Sequence, residues 1–172
     1  TPGPDALRVF PRAVVDPEQN LTVLPVDLPL ESEVVAMELA RDNTRLLLLV
    51  QTDQGVRVLL TGIERGSDCE PLALGEFLEL APLPGQAVDA AFVDDTQVAV
   101  VTRQDQAGEV VIQDVNGRVS SAGRPSAPAT LVSGVGGVSG LRLLTDQGTI
   151  LQPRGNGWQA TGERASVLVT QR

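Results

Sequence analysis

One pattern constrains the fold of this chain more than any other. An apolar strand, a turn rich in Asp, Gln and Gly, and a second strand are written three times over. The copies are "VVAMELARDNTRLLLLVQTDQGVRVLLTG" from Val34, "AVDAAFVDDTQVAVVTRQDQAGEVVIQD" from Ala87 and "GVSGLRLLTDQGTILQPRGNGWQATG" from Gly137. Their turns align as Thr52-Asp53-Gln54-Gly55, Asp105-Gln106-Ala107-Gly108 and Thr145-Asp146-Gln147-Gly148. From Asp53 to Asp105 is 52 residues, and from Asp105 to Asp146 is 41. A period of about 40–50 residues is that of four-stranded propeller blades.

The strands themselves fit such blades. Leu46 to Val50 is apolar at every position, as is Val98 to Val101, so each is expected to be an inner strand buried on both faces. Glu109 to Asp114 carries Val110, Val111 and Ile112, which are strong strand formers. Asp42-Asn43 and Asp94-Asp95 are placed to close the first hairpin of their repeats. Asn116-Gly117 is a type I′ hairpin signal leading into Arg118 to Ser121, and Gly155-Asn156-Gly157 serves the same purpose before Trp158. "EPLALGEFLELA", residues 70–81, has a helical period, but Gly75 interrupts it and the repeat requires a fourth strand there. One outer strand is the expectation.

The start of the chain is less regular. Residues 1–30 hold six of the twelve prolines, which central strands tolerate badly. They read as a lead-in or partial blade in which Leu21 to Val26 forms an outer strand. The fold expected is all-β: a single propeller-like domain over 1–172, with 1–30 the partial blade, 31–85, 86–126 and 127–172 three four-stranded antiparallel blades, the last with a C-terminal tail. A closed ring usually has about four to eight blades, so this is an incomplete arc or a fragment of a larger ring. Pairing into a homodimer is the natural way to cover its open edges.

Composition narrows the function. The chain of 172 residues carries 13 basic and 22 acidic residues, a net charge of −9, and every basic residue is Arg. No basic run is present, so neither nucleic acid nor an anionic membrane surface is an expected partner. There is no His, which excludes Ser-His-Asp and Cys-His catalysis and His-ligated zinc. Cys69 is alone and sits between Asp68 and Glu70, which disfavour a thiolate, so it reads as a passive loop or half-buried residue. No run approaches the roughly 18 apolar residues of a spanning helix. The chain starts at Thr1 without Met, and a processed or excised piece of a longer protein is the expectation.

The remaining candidate sites each have a plainer explanation. Asp94-Asp95, Asp42-Asn43 and Asp53 offer oxygen ligands for calcium, but each lies at a turn that Asp and Asn favour on their own account. "GVGGVSG", residues 134–140, has Ser139 where a dinucleotide loop needs its third Gly, and it leads into a strand; it reads as an inter-strand loop. Ser139 also misses the nucleophile elbow by its final Gly and has no His partner. Paired carboxylates could serve a glycosidase, but sugar clefts want aromatic platforms, and with one Trp and no Tyr the chain lacks them. Trp158 reads as a blade-packing residue. No catalytic, cofactor-binding or metal-ligating residue is assigned, and no cofactor is expected.

The segments "VVAMELARDNTRLLLLV", "VLLTGIERGSDCEPLALGEFLELAP", "AVDAAFVDDTQVAVV" and "LTDQGTILQPRGNGWQATG", in that order and spacing, resemble the C-terminal β-propeller of the LpqB lipoproteins of actinobacteria. The resemblance covers roughly residues 34–162. It departs at the first turn, where Ala40-Arg41-Asp42-Asn43 replaces a Ser-x-Asp-Gly pattern. It implies a non-enzymatic interaction module, extracytoplasmic and held to the cell membrane by a lipid anchor upstream of this chain. The implied partner is the extracytoplasmic domain of an MtrB-like two-component sensor kinase, whose signalling the lipoprotein modulates. The alternative function on the same fold is sensing of cell-wall glycan or a small ligand. The acidic balance implies basic patches on a protein partner.

Overall fold

Alternating apolar residues and recurrent turns build an all-β chain, seen in a computed structural model that describes residues 6–9, 24–27, 33–67, 71–104, 107–134 and 136–166. For residues 6–9, 24–27, 71–72, 107 and 131–133 the description is of the backbone. A two-stranded sheet pairs β1 (Ala6–Val9) with β2 (Leu24–Asp27) in antiparallel fashion. Three meander sheets follow. The first blade runs β3 (Glu33–Leu39), β4 (Arg45–Thr52) and β5 (Gly55–Arg65), edged by β6 (Pro71–Leu74) and β7 (Leu78–Glu79). The second runs β8 (Gln86–Phe92), β9 (Gln97–Gln104), β10 (Ala107–Asp114) and β11 (Val119–Ser121). The third runs β12 (Ala129–Ser133), β13 (Arg142–Thr145), β14 (Thr149–Arg154) and β15 (Gly157–Arg164). The first strands β3, β8 and β12 lie side by side at the inner edge, so the blades fan out from a common line as a propeller arc.

The repeat is deeper in three dimensions than in the sequence. In each blade the pairing of first and second strands slips by one residue at the same place: between Val34 and Ala36, between Ala87 and Asp89, and between Ala129 and Leu131. Val35, Val88 and Thr130 are the bulged residues, and a bulge of this kind bends and twists the strand. The register also makes Val50, Thr102 and Thr145 equivalent, since they face Val34, Ala87 and Ala129. β9 continues past Thr102 to Gln104, whereas β13 stops at Thr145, so the third copy reaches its turn two residues early. That shortening is part of why the last repeat interval is the smaller one.

Burial follows the alternation. Leu47 and Leu49 face the second blade and meet Val98 and Val100, while Ala99 and Val101 on the other face meet Leu141 and Leu143 of the third. Leu46, Leu48, Val50 and Leu59 form a separate cluster on the opposite face of the first blade. The strands expected to be buried on both faces are so: Leu46 to Val50 are all under one-tenth exposed, and Val98 to Val101 are fully enclosed. Each such Leu contributes about 1.5–3 kcal/mol over its exposed state. Trp158 packs against the cluster between the second and third blades, in the packing role its sequence context suggests.

Two local expectations are corrected. Residues 70–81 do not form one outer strand. β6 pairs with Ile63 to Arg65, the chain leaves the sheet from Gly75 to Phe77, and β7 then pairs with Leu59 and Leu60. The break lets Leu74 and Phe77 pack on the Leu46 cluster, and the buried Thr61 hydroxyl donates to the Gly75 carbonyl at 2.8 Å. The Asn116-Gly117 turn is not type I′, because φ is positive at Gly117 (88°) but not at Asn116. The Gly117 N–H instead donates to the Asp114 carbonyl at 2.9 Å, a type I turn closed by a left-handed Gly. At Gly155-Asn156 only the glycine has positive φ, the II′ pattern.

Of the sequence assignments, Asp105-Gln106, Cys69 and residues 21–23 of the Leu21 to Val26 strand lie outside the described residues; β2 covers the remainder of that strand.

Candidate interaction surface

The turns between first and second strands gather at one end of the arc. Asp42 and Asp94 hold the same place in their turns and use it in the same way. Asp42 Oδ1 accepts the Thr44 N–H at 3.0 Å. Asp94 Oδ1 accepts the N–H groups of Thr96 and Gln97 at 2.8 and 2.9 Å. Asn43 closes the first turn at φ 57°, a left-handed value that Asn tolerates better than most residues. The Asp42 carboxyl is held below its usual range, first by the Thr44 backbone N–H and then by the Thr44 side chain and Arg45. Asp114 behaves alike at the Asn116-Gly117 turn, lowered first by the Asn116 backbone N–H. These carboxylates shape turns. Among the described residues, no group of three or more His, Cys, Asp or Glu converges as a metal cage would require.

One side chain fastens the first of these turns to the second. Arg45 opens β4, and its Nη2 donates to Asp42 Oδ2 at 3.3 Å and to Asp95 Oδ1 at 3.1 Å. Its Nη1 donates to the Asp95 carbonyl oxygen. The guanidinium lies over the Phe92 ring, 5.6 Å from the centroid, in cation–π range. Beneath it is a cleft of about 200 Å³ between the first two blades. Leu60 and Val98 form its floor and Phe92 and Leu78 its walls, with Arg45, Asp95 and Glu76 around the mouth. Leu78 is 47% exposed there, while Leu60 and Val98 are buried.

The outer wall is held by a second charged pair. Arg57 of β5 donates from Nε and Nη2 to the two carboxylate oxygens of Glu79 at 2.7 and 2.6 Å, which pins β7 to the sheet. This bond lowers the Glu79 carboxyl and raises Arg57.

Sequence reasoning located Asp42, Asp94 and Asp95 as turn residues. It missed Arg45, Phe92, Glu76 and Leu78, which share the cleft although the chain separates Arg45 from Asp95 by 50 residues. The scarcity of Phe, three in the chain, was the one available signal. In "GVGGVSG", of which Val135 lies outside the described residues, Val138–Gly140 forms a short 3-10 turn, Leu141 leads into β13, and Gly137 N–H donates to Val93 O at 3.0 Å. It is an inter-strand connection, as expected. Asp53 and Asp146 sit exposed on hairpin turns.

Among the described residues no helix is long and apolar enough to cross a membrane. No curated protein matches the chain. A family model does: the lipoprotein LpqB β-propeller domain, over residues 6–167. With its repeated bulges, its meander blades and this match across nearly its whole length, the chain belongs to the LpqB β-propeller domain family.

Proposed function

We propose that this domain is a non-enzymatic protein-binding module of an extracytoplasmic, lipid-anchored lipoprotein, and that it modulates a two-component sensor kinase of the MtrB type by binding its extracytoplasmic domain. Family membership supports the lipoprotein setting. The observation that favours protein binding is the cleft between the first two blades. At about 200 Å³ it has room for one side chain, and ligand pockets are commonly about 300–1,000 Å³. Its mouth is continuous with an exposed surface of turns, which suits a partner surface better than an enclosed sugar.

Titration calorimetry of the domain against the kinase's extracytoplasmic domain, at low and at high salt, tests this reading. Saturable binding that weakens with salt is expected, because the domain is acidic overall. Absence of binding to the kinase domain, with saturable binding of muropeptides in its place, would overturn the reading in favour of glycan sensing.

A further inference from the structure

We infer that the cleft under Arg45 is the docking point for the partner, and that its occupant is an aliphatic side chain immediately next to an Arg or Lys. The inference rests on the protein-binding reading and names the contact face and the chemistry of the segment that meets it.

The apolar half of the assignment comes from Leu78. It is a large apolar residue on a two-residue strand, and it stands half exposed against the Phe92 wall while the floor below it is enclosed. A Leu or Ile side chain entering the cleft would cover Leu78 and the Phe92 face, and would fill the space without needing polar partners. Residues that anchor interfaces sit in well-packed, desolvated pockets, and at about 200 Å³ this one admits an aliphatic side chain.

The cationic half comes from the mouth. Two carboxylates, Asp95 and Glu76, line the cleft against one guanidinium, that of Arg45. Arg45 is already shared between Asp42 and Asp95, whose side chain is 95% exposed. Glu76 is exposed and has no ion pair or hydrogen bond among the described residues. The mouth therefore carries surplus negative charge beside an apolar hole, and a cation adjacent to the anchoring side chain completes it. The site is also preformed. Arg45 ties the two turns together across the top, and the Arg57–Glu79 pair holds the wall strand, so little ordering is required on docking.

Two measurements test the assignment. In the first, the kinase's extracytoplasmic domain is titrated against the wild-type chain, Glu76→Arg, Leu78→Ser and the control Glu163→Arg, whose side chain is exposed on the third blade. Glu76→Arg and Leu78→Ser are each expected to weaken binding at least tenfold with unchanged melting temperature, and Glu163→Arg to leave it within twofold. If wild type binds and all three variants bind equally, the cleft assignment falls while the protein-binding reading stands. If wild type does not bind, the kinase reading falls.

The second measurement does not depend on the kinase. Backbone amide shifts are followed on adding a capped Ala-Leu-Arg-Ala peptide or its Ala-Leu-Glu-Ala counterpart. Shifts concentrated at Leu78, Thr96, Gln97 and Val115, and larger for the Arg peptide, support the assignment. Equal shifts from both peptides, or none at these residues, overturn it.

Discussion

Gln51, near the end of β4, accepts the backbone N–H of Ala87, at the start of β8, on its Oε1 at 2.7 Å. Its Nε2 donates to the carbonyls of Thr52 and Gly55 at 3.0 and 3.2 Å and reaches that of Gly85 at 3.4 Å. One amide thus satisfies backbone groups of both the first and the second blade. Glu38 does a related task nearer the mouth, where its Oε2 accepts the Phe92 N–H at 2.8 Å.

Replacing Gln51 by Ala leaves the Ala87 N–H without its partner in a half-buried site. A loss of about 1–3 kcal/mol is expected, read by urea unfolding. Gln51→Glu keeps the acceptor but sets a carboxylate against the carbonyls that the amide now serves. It should be no more stable than Gln51→Ala at pH 7. A glutamate variant as stable as wild type would show that the donor half of the amide contributes nothing.

The third blade's approach to the second depends on a missing side chain. A Cβ on Gly134 would stand 2.1 Å from the Phe92 carbonyl oxygen, a backbone atom that cannot swing aside. Gly134→Ala should cost about 1–3 kcal/mol as the two blades are pushed apart. Gly157→Ala has open space around its new methyl and serves as the comparison. Equal melting temperatures for the two variants would contradict the close approach.

Leu47 is fully buried between the first and second blades, and Ala99 is fully buried between the second and third. Leu47→Ala should lose about 2–5 kcal/mol through transfer and cavity terms. Ala99→Leu should lose about 1–3 kcal/mol by overpacking. Chemical denaturation of both variants checks the prediction that one interface is limited by volume lost and the other by volume gained.

The pH dependence follows from the lowered carboxyls of Glu79, Asp42 and Asp114. A carboxyl whose pKa is lower folded than unfolded adds stability above the unfolded value, and that stability is lost as pH falls through the folded value. With no His in the chain, stability should be flat between about pH 5.5 and 7.5 and decline below about pH 4.5. Glu79→Gln should cost less than about 1 kcal/mol at pH 7, since the Arg57 pair is solvent-screened. Its deficit against wild type should shrink as the pH is lowered to 3. A deficit that stays constant over that range would show that the pair is not the source.

Much of the architecture was legible in the sequence because it rests on local physics. The alternation and full apolarity of Leu46 to Val50 and Val98 to Val101 located the second strands, and the Asp and Gly clusters located the hairpins. Turn type was less legible. Asn116-Gly117 has the composition of a I′ turn, but the bond from Gly117 N–H to the Asp114 carbonyl makes a type I turn followed by a left-handed Gly. The break between β6 and β7 was also out of reach, since it is drawn by Phe77 packing on a cluster supplied by residues 46–59.

By itself, then, the sequence determined the central strands of the blades, their repeat and the class of fold, because period-two burial and turn chemistry act over a few neighbouring residues. The tertiary structure alone decided the aligned bulges at Val35, Val88 and Thr130, the Gln51 and Glu38 clasps, and the cleft that Arg45 closes over Phe92. Each joins groups whose spacing follows from blade packing, where a contact between residues 36 to 54 positions apart depends on twist and inter-sheet distance and leaves no period in the chain.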